Sequence, residues 1–251
     1  MTDKKEIITY DDQKEKDARN ELYELLKECP IPEDQVLSNL GLFLNSKNLS
    51  RILFMNYIYQ KIVDVQGVVF EFGTRWGQNV ALFAALRGIY EPFNRHRKIV
   101  AFDTFEGFPS IHEKDGDSSM MVEGMLSLTE NYDQYLSSVV STIEKDNPLS
   151  HIQKFELRKG DGIVEIDSYL EQNPETIISL AYFDFDLYAP TKKCLEAIKP
   201  RLTKGSIVCF DELNDPDSPG ETLALMEVFG LENVTLKRFP YVSRISYFIV
   251  E

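Results

Sequence analysis

The 251-residue sequence predicts an α/β fold whose mostly parallel sheet ends in an antiparallel hairpin. Apolar runs of strand length alternate with helical patterns between residues 68 and 229. Two further strand-like runs, at residues 234–239 and 245–250, follow without a helix between them. The alternation indicates parallel strands with helices on both faces of the sheet. The direct final connection indicates two antiparallel strands.

The elements follow one another in a regular order. Residues 1 to about 20 are charge-rich and expected to be loosely ordered. Helical patterns near residues 17–27 and 48–65 come next. The five parallel strands are expected at residues 68–72, 98–103, 152–158, 177–184 and 206–211, and the helix after each at residues 79–88, 128–145, 163–172, 191–199 and 221–229. We therefore divide the chain into a helical extension, residues 1–66, and an α/β domain, residues 67–251.

Composition excludes several classes of protein. With 43% apolar and 27% charged residues the chain is typical of a globular protein. Its 27 basic and 41 acidic residues give a net charge of −14, which argues against binding nucleic acid through a basic face. No apolar run approaches the roughly 20 residues of a membrane helix, and the N-terminus is too polar for a secretory signal. Three cysteines without metal spacing favour the reducing cytoplasm.

The first strand leads into a glycine turn, Gly73-Thr74-Arg75-Trp76-Gly77, and carries Glu71 near its end. The turn of a dinucleotide site faces a pyrophosphate, which a carboxylate would repel. Glu71 instead suits a cofactor with a sulfonium and an amino group, as in S-adenosylmethionine. Gly73 is expected at positive φ, and Gly77 is expected to let the next helix pack on the sheet. The alternative is an ordinary strand-to-helix turn.

Other residues near the strand ends complete the predicted cofactor site. Asp103 ends the second strand, where an acid accepts hydrogen bonds from a ribose, although such an acid is also a common helix cap. Thr104 and Phe105 open an ordered loop over the site, and residues 111–123 are expected to form a mobile lid. Asp161 is expected either beside the adenine or as a helix N-cap. In the turn, Gly73, Thr74, Arg75, Trp76 and Gly77 are assigned to the cofactor, where Arg75 and Trp76 would contact its carboxylate and adenine or the substrate.

Pairs of acids follow the fourth and fifth strands. Asp184 and Asp186 follow the fourth, and Asp211 and Glu212 follow the fifth. Carboxyl ends of parallel strands meet at one edge, where the acids would repel one another unless a cation holds them. We predict Mg²⁺ at Asp184, Asp211 and Glu212. Asp184, which is also assigned to the cofactor, or Asp186 would accept the proton of a substrate hydroxyl. The alternative for Asp186 is a loop acid facing water.

Four segments together resemble the macrocin O-methyltransferase family, which includes sugar methyltransferases of macrolide and calicheamicin biosynthesis. They are Glu-Phe-Gly-x-x-x-Gly at 71–77, Ala-Phe-Asp-Thr-Phe-Glu-Gly-Phe-Pro at 101–109, Tyr-Phe-Asp-Phe-Asp-Leu-Tyr-Ala-Pro-Thr at 182–191 and Gly-Ser-Ile-Val-Cys-Phe-Asp-Glu-Leu at 205–213. The resemblance spans about residues 68–227. It implies a class I methyltransferase fold with a seven-stranded sheet, S-adenosylmethionine, Mg²⁺ and a deoxysugar hydroxyl as acceptor. It also implies metal-binding acids at Asp184 or Asp186, at Asp211, and at the next position, where this chain has Glu212.

The sequence thus predicts a cytoplasmic, S-adenosylmethionine-dependent O-methyltransferase that requires a divalent metal and acts on a deoxysugar or glycosylated natural product. Methylation of an amine or a catechol on the same fold is one alternative. A nucleotide-dependent sugar oxidoreductase is another, although the turn lacks a phosphate cradle. A non-catalytic binding module is a third. The family resemblance and the apolar helix at 48–65 favour a homo-oligomer, and neither nucleic acid nor membrane is an expected partner.

Overall fold

The computed structural model describes residues 9–251, in which seven strands form one sheet. They are β1 (Val68–Phe72), β2 (Ile99–Asp103), β3 (Phe155–Lys159), β4 (Ile178–Phe183), β5 (Leu202–Phe210), β6 (Lys237–Arg238) and β7 (Ser246–Ile249). Their order is β3-β2-β1-β4-β5-β7-β6. The first five pair in parallel, and β7 runs antiparallel to both β5 and β6. The predicted parallel sheet with a terminal antiparallel hairpin is confirmed.

Helices cover both faces of this sheet. They are α1 (Gln13–Lys27), α2 (Glu33–Val36), α3 (Ser46–Ile62), α4 (Gln78–Tyr90), α5 (Tyr132–Lys145), α6 (Gly162–Gln172), α7 (Tyr188–Ile198) and α8 (Gly220–Val228). Within residues 9–251, every helix is too short or too polar to span a lipid bilayer. The expectation of loose order is wrong for residues 13–20, because Asp12 and Glu15 form a capping box that starts α1. Residues 1–8 of that expectation lie outside the described part of the chain.

Some boundaries differ from the predicted ones for local reasons. Helix α7 begins at Tyr188 instead of Thr191, because Pro190 is tolerated in a first helical turn. The backbone N–H of Tyr188 donates to Asp115 Oδ1 at 2.5 Å, so a distant loop supplies the cap. Strand β6 covers only two residues of the predicted 234–239, Lys237 and Arg238, and is preceded by a 3₁₀ turn, Leu231–Asn233. Helix α2 and the 3₁₀ segment that follows it, Leu37–Phe43, were not predicted.

The sheet is buried on both faces. On one face, the buried residues of α3 pack with Val69, Leu180 and Ile207; they are Phe54, Met55, Ile58, Tyr59 and Ile62. On the other face, Phe70, Phe72 and Phe183 pack against α6, α7 and α8. Alternate residues of each strand thus supply the two layers. Helix α3 forms part of the first layer, and the division of the chain after residue 66 stays a prediction.

A buried arginine fixes the end of α3 to the sheet. Arg97 is 1% exposed. Its guanidinium donates to the carbonyl oxygens of Ile62 and Val65, both at 2.8 Å, and to that of Gly67 at 2.5 Å. It also forms an ion pair with Glu91 at 2.8 Å. Since the charge is both paired and hydrogen-bonded, its burial is compensated, and the α3–β1 connection is held in one position.

Candidate active site

The glycine turn after β1 has the backbone geometry that its sequence predicts. Gly73 and Gly77 have φ values of 87° and 80°, and Arg75 between them also has a positive φ, 47°. The N–H of Gly73 donates to the Phe102 carbonyl at 2.9 Å, and the N–H of Asp184 donates to the Phe72 carbonyl at 2.7 Å. The turn therefore lies between the ends of β2 and β4. Only glycine fits at position 73, because a Cβ there would lie 1.9 Å from the Asp184 carbonyl oxygen.

Replacing Gly73 by alanine is expected to lower the free energy of unfolding by about 2–5 kcal/mol, through positive-φ strain and overpacking against backbone. Gly124→Ala is the matched control. Gly124 also has a positive φ, 70°, but a Cβ there would meet nothing within 4 Å, so only strain of about 1–2 kcal/mol is expected. Urea unfolding followed by circular dichroism measures both. Equal losses in the two variants would contradict the close approach at Gly73.

Gly77 serves a different purpose from the predicted one. The sequence suggested that it lets α4 pack on the sheet. A Cβ at Gly77 would instead lie 2.2 Å from a methyl carbon of Leu136, a buried residue of α5. The predicted contact of Gly77 was with the sheet, and this is wrong. Helix α5 packs directly on the turn, so the close contact is with α5. Gly77 is also the left-handed residue before α4.

Several buried polar atoms at the turn have no hydrogen-bond partner among residues 9–251. They are both carboxylate oxygens of Glu71, Oγ1 of Thr74 and Nε of Arg75. Burial first, and then the nearby Asp184 carboxylate, raise the pKa of Glu71 well above the usual range of glutamate. Unpartnered buried groups are rare in folded proteins and call for a partner such as a ligand. An acceptor, a hydroxyl and a guanidinium together suit an amino acid moiety with its ammonium and carboxylate groups.

Asp103 connects the turn to the next loop. Its Oδ2 accepts from the Arg75 N–H at 2.6 Å, and its Oδ1 accepts from the Phe105 N–H at 2.5 Å. Burial raises the pKa of Asp103, although these backbone hydrogen bonds oppose the effect. The hydroxyl of Thr104 donates to the Gly107 carbonyl and orders the loop. The predicted ribose contact of Asp103, and the cofactor contacts of Thr104 and Phe105, stay predictions.

Asp161 and Trp76 occupy the periphery of the turn. Asp161 is the N-cap of α6 and accepts from the Ile163 N–H at 2.9 Å. The capping role, one of its two predicted roles, is thus present, and the adenine contact stays a prediction. Trp76 is 47% exposed and packs edge-on against Tyr132, with ring centroids 4.9 Å apart. Its indole therefore leaves an open aromatic surface beside the turn.

Four acids converge at the carboxyl ends of β4 and β5. We call Asp184, Asp186, Asp211 and Glu212 the acid rim. The side chain of Asp184 is 26% exposed, whereas those of Asp211 and Glu212 are 7% and 10% exposed. Burial, and then the Asp211 carboxylate, raise the pKa of Asp184 well above its usual range. Burial also raises the pKa of Asp186, and a carboxyl-to-carboxyl contact with Glu212 adds to it. Asp186 is thus a buried acid, not one facing water.

Arginines already bind the acid rim. Arg51 Nη2 lies 3.1 Å from Asp184 Oδ2 and 2.9 Å from Asp211 Oδ1. Arg244 Nη1 lies 2.5 Å from Glu212 Oε1. Oxygen ligands are the chemistry that Mg²⁺ prefers, but an arginine already binds one carboxylate oxygen of each of the three predicted ligands. Among residues 9–251, no group of three or more His, Cys, Asp or Glu side chains is arranged to hold a metal ion. The predicted trio therefore does not fit Mg²⁺ in this arrangement.

Three charged residues beside the acid rim were not predicted from the sequence: Arg51, Arg244 and Glu221. Arg51 and Arg244 come from α3 and from the loop before β7, and periodicity gives no signal that either reaches β4. Glu221, at the start of α8, is fully buried and accepts from the Phe185 N–H at 2.9 Å through Oε1, whereas Oε2 has no partner within the described residues. Burial, and then Asp184, raise the pKa of Glu221 well above its usual range. An acid in a first helical turn is too common to signal such a role.

The predicted lid segment is attached to the body of the protein. Asp115 is 1% exposed and caps α7 through the Tyr188 N–H. The His112 ring lies 4.8 Å from the Tyr188 ring, and Lys114 forms an ion pair with Glu227 at 2.5 Å. Phe108 and Met125 pack with Leu187 in a small apolar cluster beside the rim. The segment therefore forms one wall of the site, and its mobility stays a prediction.

Comparison with known proteins places this site in a family. No family model and no curated protein matches the chain. A crystal structure of the calicheamicin methyltransferase CalS11 is 42% identical over 96% of this chain and 94% of that one, with a TM-score of 0.94. An apo structure described as the TDP-rhamnose 3′-O-methyltransferase of calicheamicin biosynthesis is 40% identical over 96% of both chains, with a TM-score of 0.86. The O-methyltransferase NovP, 18% identical over 80% of this chain and 79% of that one with a TM-score of 0.59, shares the fold. This chain therefore belongs to the macrocin-type O-methyltransferase family and is a class I, S-adenosylmethionine-dependent O-methyltransferase.

Proposed function

We propose that this protein methylates a hydroxyl of a deoxysugar, carried on a nucleotide or in a glycosylated natural product. The support is the similarity, over nearly the whole chain, to a TDP-rhamnose 3′-O-methyltransferase. The observation that carries the proposal is the juxtaposition of two features. The first is the group of buried polar atoms without hydrogen-bond partners, from Glu71, Thr74 and Arg75, at the turn. The second is Asp184, whose side chain is 26% exposed and which directly follows the neighbouring strand β4.

Each part of the site has a role in this proposal. S-adenosylmethionine, when bound, supplies an electrophilic methyl group on its sulfonium. Glu71 would accept from the ammonium of the cofactor, Arg75 would bind its carboxylate, and Asp103 would accept from its ribose. Asp184 accepts the proton of the attacking sugar hydroxyl on Oδ1, because Arg51 binds Oδ2, and its raised pKa makes it a better base than an ordinary aspartate. Catalysis then depends mainly on holding oxygen, methyl carbon and sulfur in line.

Three finer expectations stay separate predictions. Mg²⁺ at Asp184, Asp211 and Glu212 would have to compete with Arg51 and Arg244 for these acids. Activity measured with a chelator and with added MgCl₂ tests the requirement directly. A cytoplasmic location and a homo-oligomer also stay predictions, the latter open to sedimentation analysis.

The experiment that tests the function uses purified protein, methyl-labelled S-adenosylmethionine and TDP-rhamnose. We expect S-adenosylhomocysteine to form and the sugar nucleotide to gain one methyl group, both measured by mass spectrometry. Catechol and an amine serve as acceptors for the alternative methyltransferase reactions. A thermal-shift comparison of S-adenosylhomocysteine with NAD tests the oxidoreductase alternative. Methylation of catechol or the amine alone, or stabilisation by NAD alone, would reject the sugar methyltransferase.

A further inference from the structure

Arg51 reaches the acid rim from helix α3, which precedes the first strand. It lies on the same side of α3 as Phe54 and Ile58, three and seven residues further along, which pack in the core. Besides its contacts to Asp184 and Asp211, its Nε donates to Asn79 Oδ1 at 3.2 Å. Three polar partners on three different elements therefore fix the guanidinium. This geometry places one positive charge between the carboxylates that end β4 and β5.

The charge balance around Arg51 is strongly negative. The four acids of the rim and the buried Glu221 face only two nearby arginines within the described chain, Arg51 and Arg244. The side chain of Arg244 is 51% exposed, whereas that of Arg51 is 27% exposed. Water screens the charge of Arg244 more strongly. Arg51 is therefore the less screened of the two cations, and it lies within 3.1 Å of Asp184 and 2.9 Å of Asp211.

The electrostatics of Arg51 agree with that position. Burial alone would lower the pKa of the guanidinium, but Asp211, Tyr182 and Asp184 outweigh it and raise that pKa above the usual arginine value. Tyr182 also donates to Asp211 Oδ1 at 2.5 Å. Oδ1 of Asp211 thus binds both a hydroxyl and a guanidinium, which leaves it little capacity for another cation. The unpartnered Oε2 of Glu221 shows that the surrounding carboxyl groups are not all satisfied.

We propose that Arg51 is the tethered counter-ion of Asp184 and Asp211, and that its guanidinium and a divalent cation exclude each other from this carboxylate pair. Arg51 already holds Asp184 Oδ2 and Asp211 Oδ1, and its positive charge lies between the two carboxylates that a divalent cation would have to bring together. The absence of a metal-like arrangement among residues 9–251 then has a physical cause. The inference rests on the proposed function only for its place in the active site, because ion exclusion needs neither cofactor nor acceptor.

The test is calorimetric titration of MgCl₂ into the full-length protein at neutral pH, without cofactor. Arg51→Gln removes the charge and keeps a polar side chain of moderate length. Arg51→Lys keeps the charge but cannot bind two carboxylates with a planar fork. Lys47→Gln is the matched control, since Lys47 lies one turn earlier on α3 with a side chain that is 74% exposed. Circular dichroism confirms that each variant is folded.

We expect R51Q to bind Mg²⁺ at least about tenfold more tightly than wild type, the scale of one partly shielded charge pair. R51K is expected to fall between the two, and K47Q to match wild type. If R51Q does not fold, tighter binding of Mg²⁺ by R51K than by wild type supports the proposal. Binding by R51Q and R51K that is no tighter than that of wild type, including no binding by any protein, would overturn the proposal. An equal gain in K47Q would also overturn it, because net charge would then explain the effect.

Discussion

Methyl transfer is expected to slow by about 10²–10⁴-fold in Asp184→Asn, while the affinity for S-adenosylhomocysteine changes far less. The amide keeps the shape of the side chain and can still accept from Arg51, but it cannot take the proton of the sugar hydroxyl. Single-turnover rates with TDP-rhamnose and calorimetric titration of S-adenosylhomocysteine separate the two effects. A rate within threefold of wild type, which is about 0.7 kcal/mol in the barrier, would remove Asp184 as the base.

Asp186→Asn is the matched variant, because the sequence left both acids open as the proton acceptor. Asp186 is 6% exposed and contacts Glu212, and burial raises its pKa. An asparagine resembles the protonated acid, so D186N should lose less than about tenfold in rate. A large loss in D186N together with a small loss in D184N would transfer the role to Asp186.

Glu71→Gln is expected to weaken the binding of S-adenosylhomocysteine by about 10–100-fold, the value of a hydrogen bond between charged groups. The ligand carries the same ammonium as the methyl donor, so the test needs no turnover. The pKa of Glu71 is raised by burial in the free protein, and binding an ammonium favours the ionised carboxylate. Wild type should therefore release a proton on binding and bind more weakly as pH falls through that raised pKa. Calorimetry in buffers of different ionisation enthalpy measures this release, and E71Q should show none.

The same residue should have the opposite effect on the stability of the free protein. A carboxyl whose folded pKa exceeds its unfolded pKa binds more protons when folded. Its contribution is therefore full below the unfolded value, about 4.3, and is lost as pH rises through the folded pKa. Ligand-free E71Q should thus resist urea better than wild type above that window. Equal urea midpoints in the two proteins would show that burying Glu71 does not destabilise the fold. Equal affinities for S-adenosylhomocysteine would show that Glu71 does not contact the cofactor.

The sheet and the strand-end acids were predictable because their signals are local. Asp184 and Asp211 directly follow apolar runs of strand length, Asp186 and Glu212 come within two residues of these two acids, and parallel strands place their carboxyl ends at one edge. The positive φ of Gly73 could also be predicted, since only glycine adopts it at no cost beside another backbone. The hairpin followed from two strand-like runs with no helix between them. These features depend on neighbours within a few residues.

The cations of the site were not predictable in this way. Arg51 and Asp184 are 133 positions apart, and nothing in the periodicity of α3 shows that this arginine faces the end of β4. A metal was inferred because several acids at one edge need a positive partner. The sequence could not show that two arginines of the chain lie against these acids, and the metal stays a prediction. Caps from distant loops, such as Asp115 on α7, escape prediction for the same reason.

Arg97 has a further consequence for the position of helix α3 beside the site. It ties the carbonyls of Ile62, Val65 and Gly67 together in the protein interior. If helix α3 moved outward, the buried guanidinium of Arg97 would lose these hydrogen bonds, which is energetically costly. Helix α3 therefore holds Arg51 at a fixed position beside Asp184 and Asp211 whatever binds in the site.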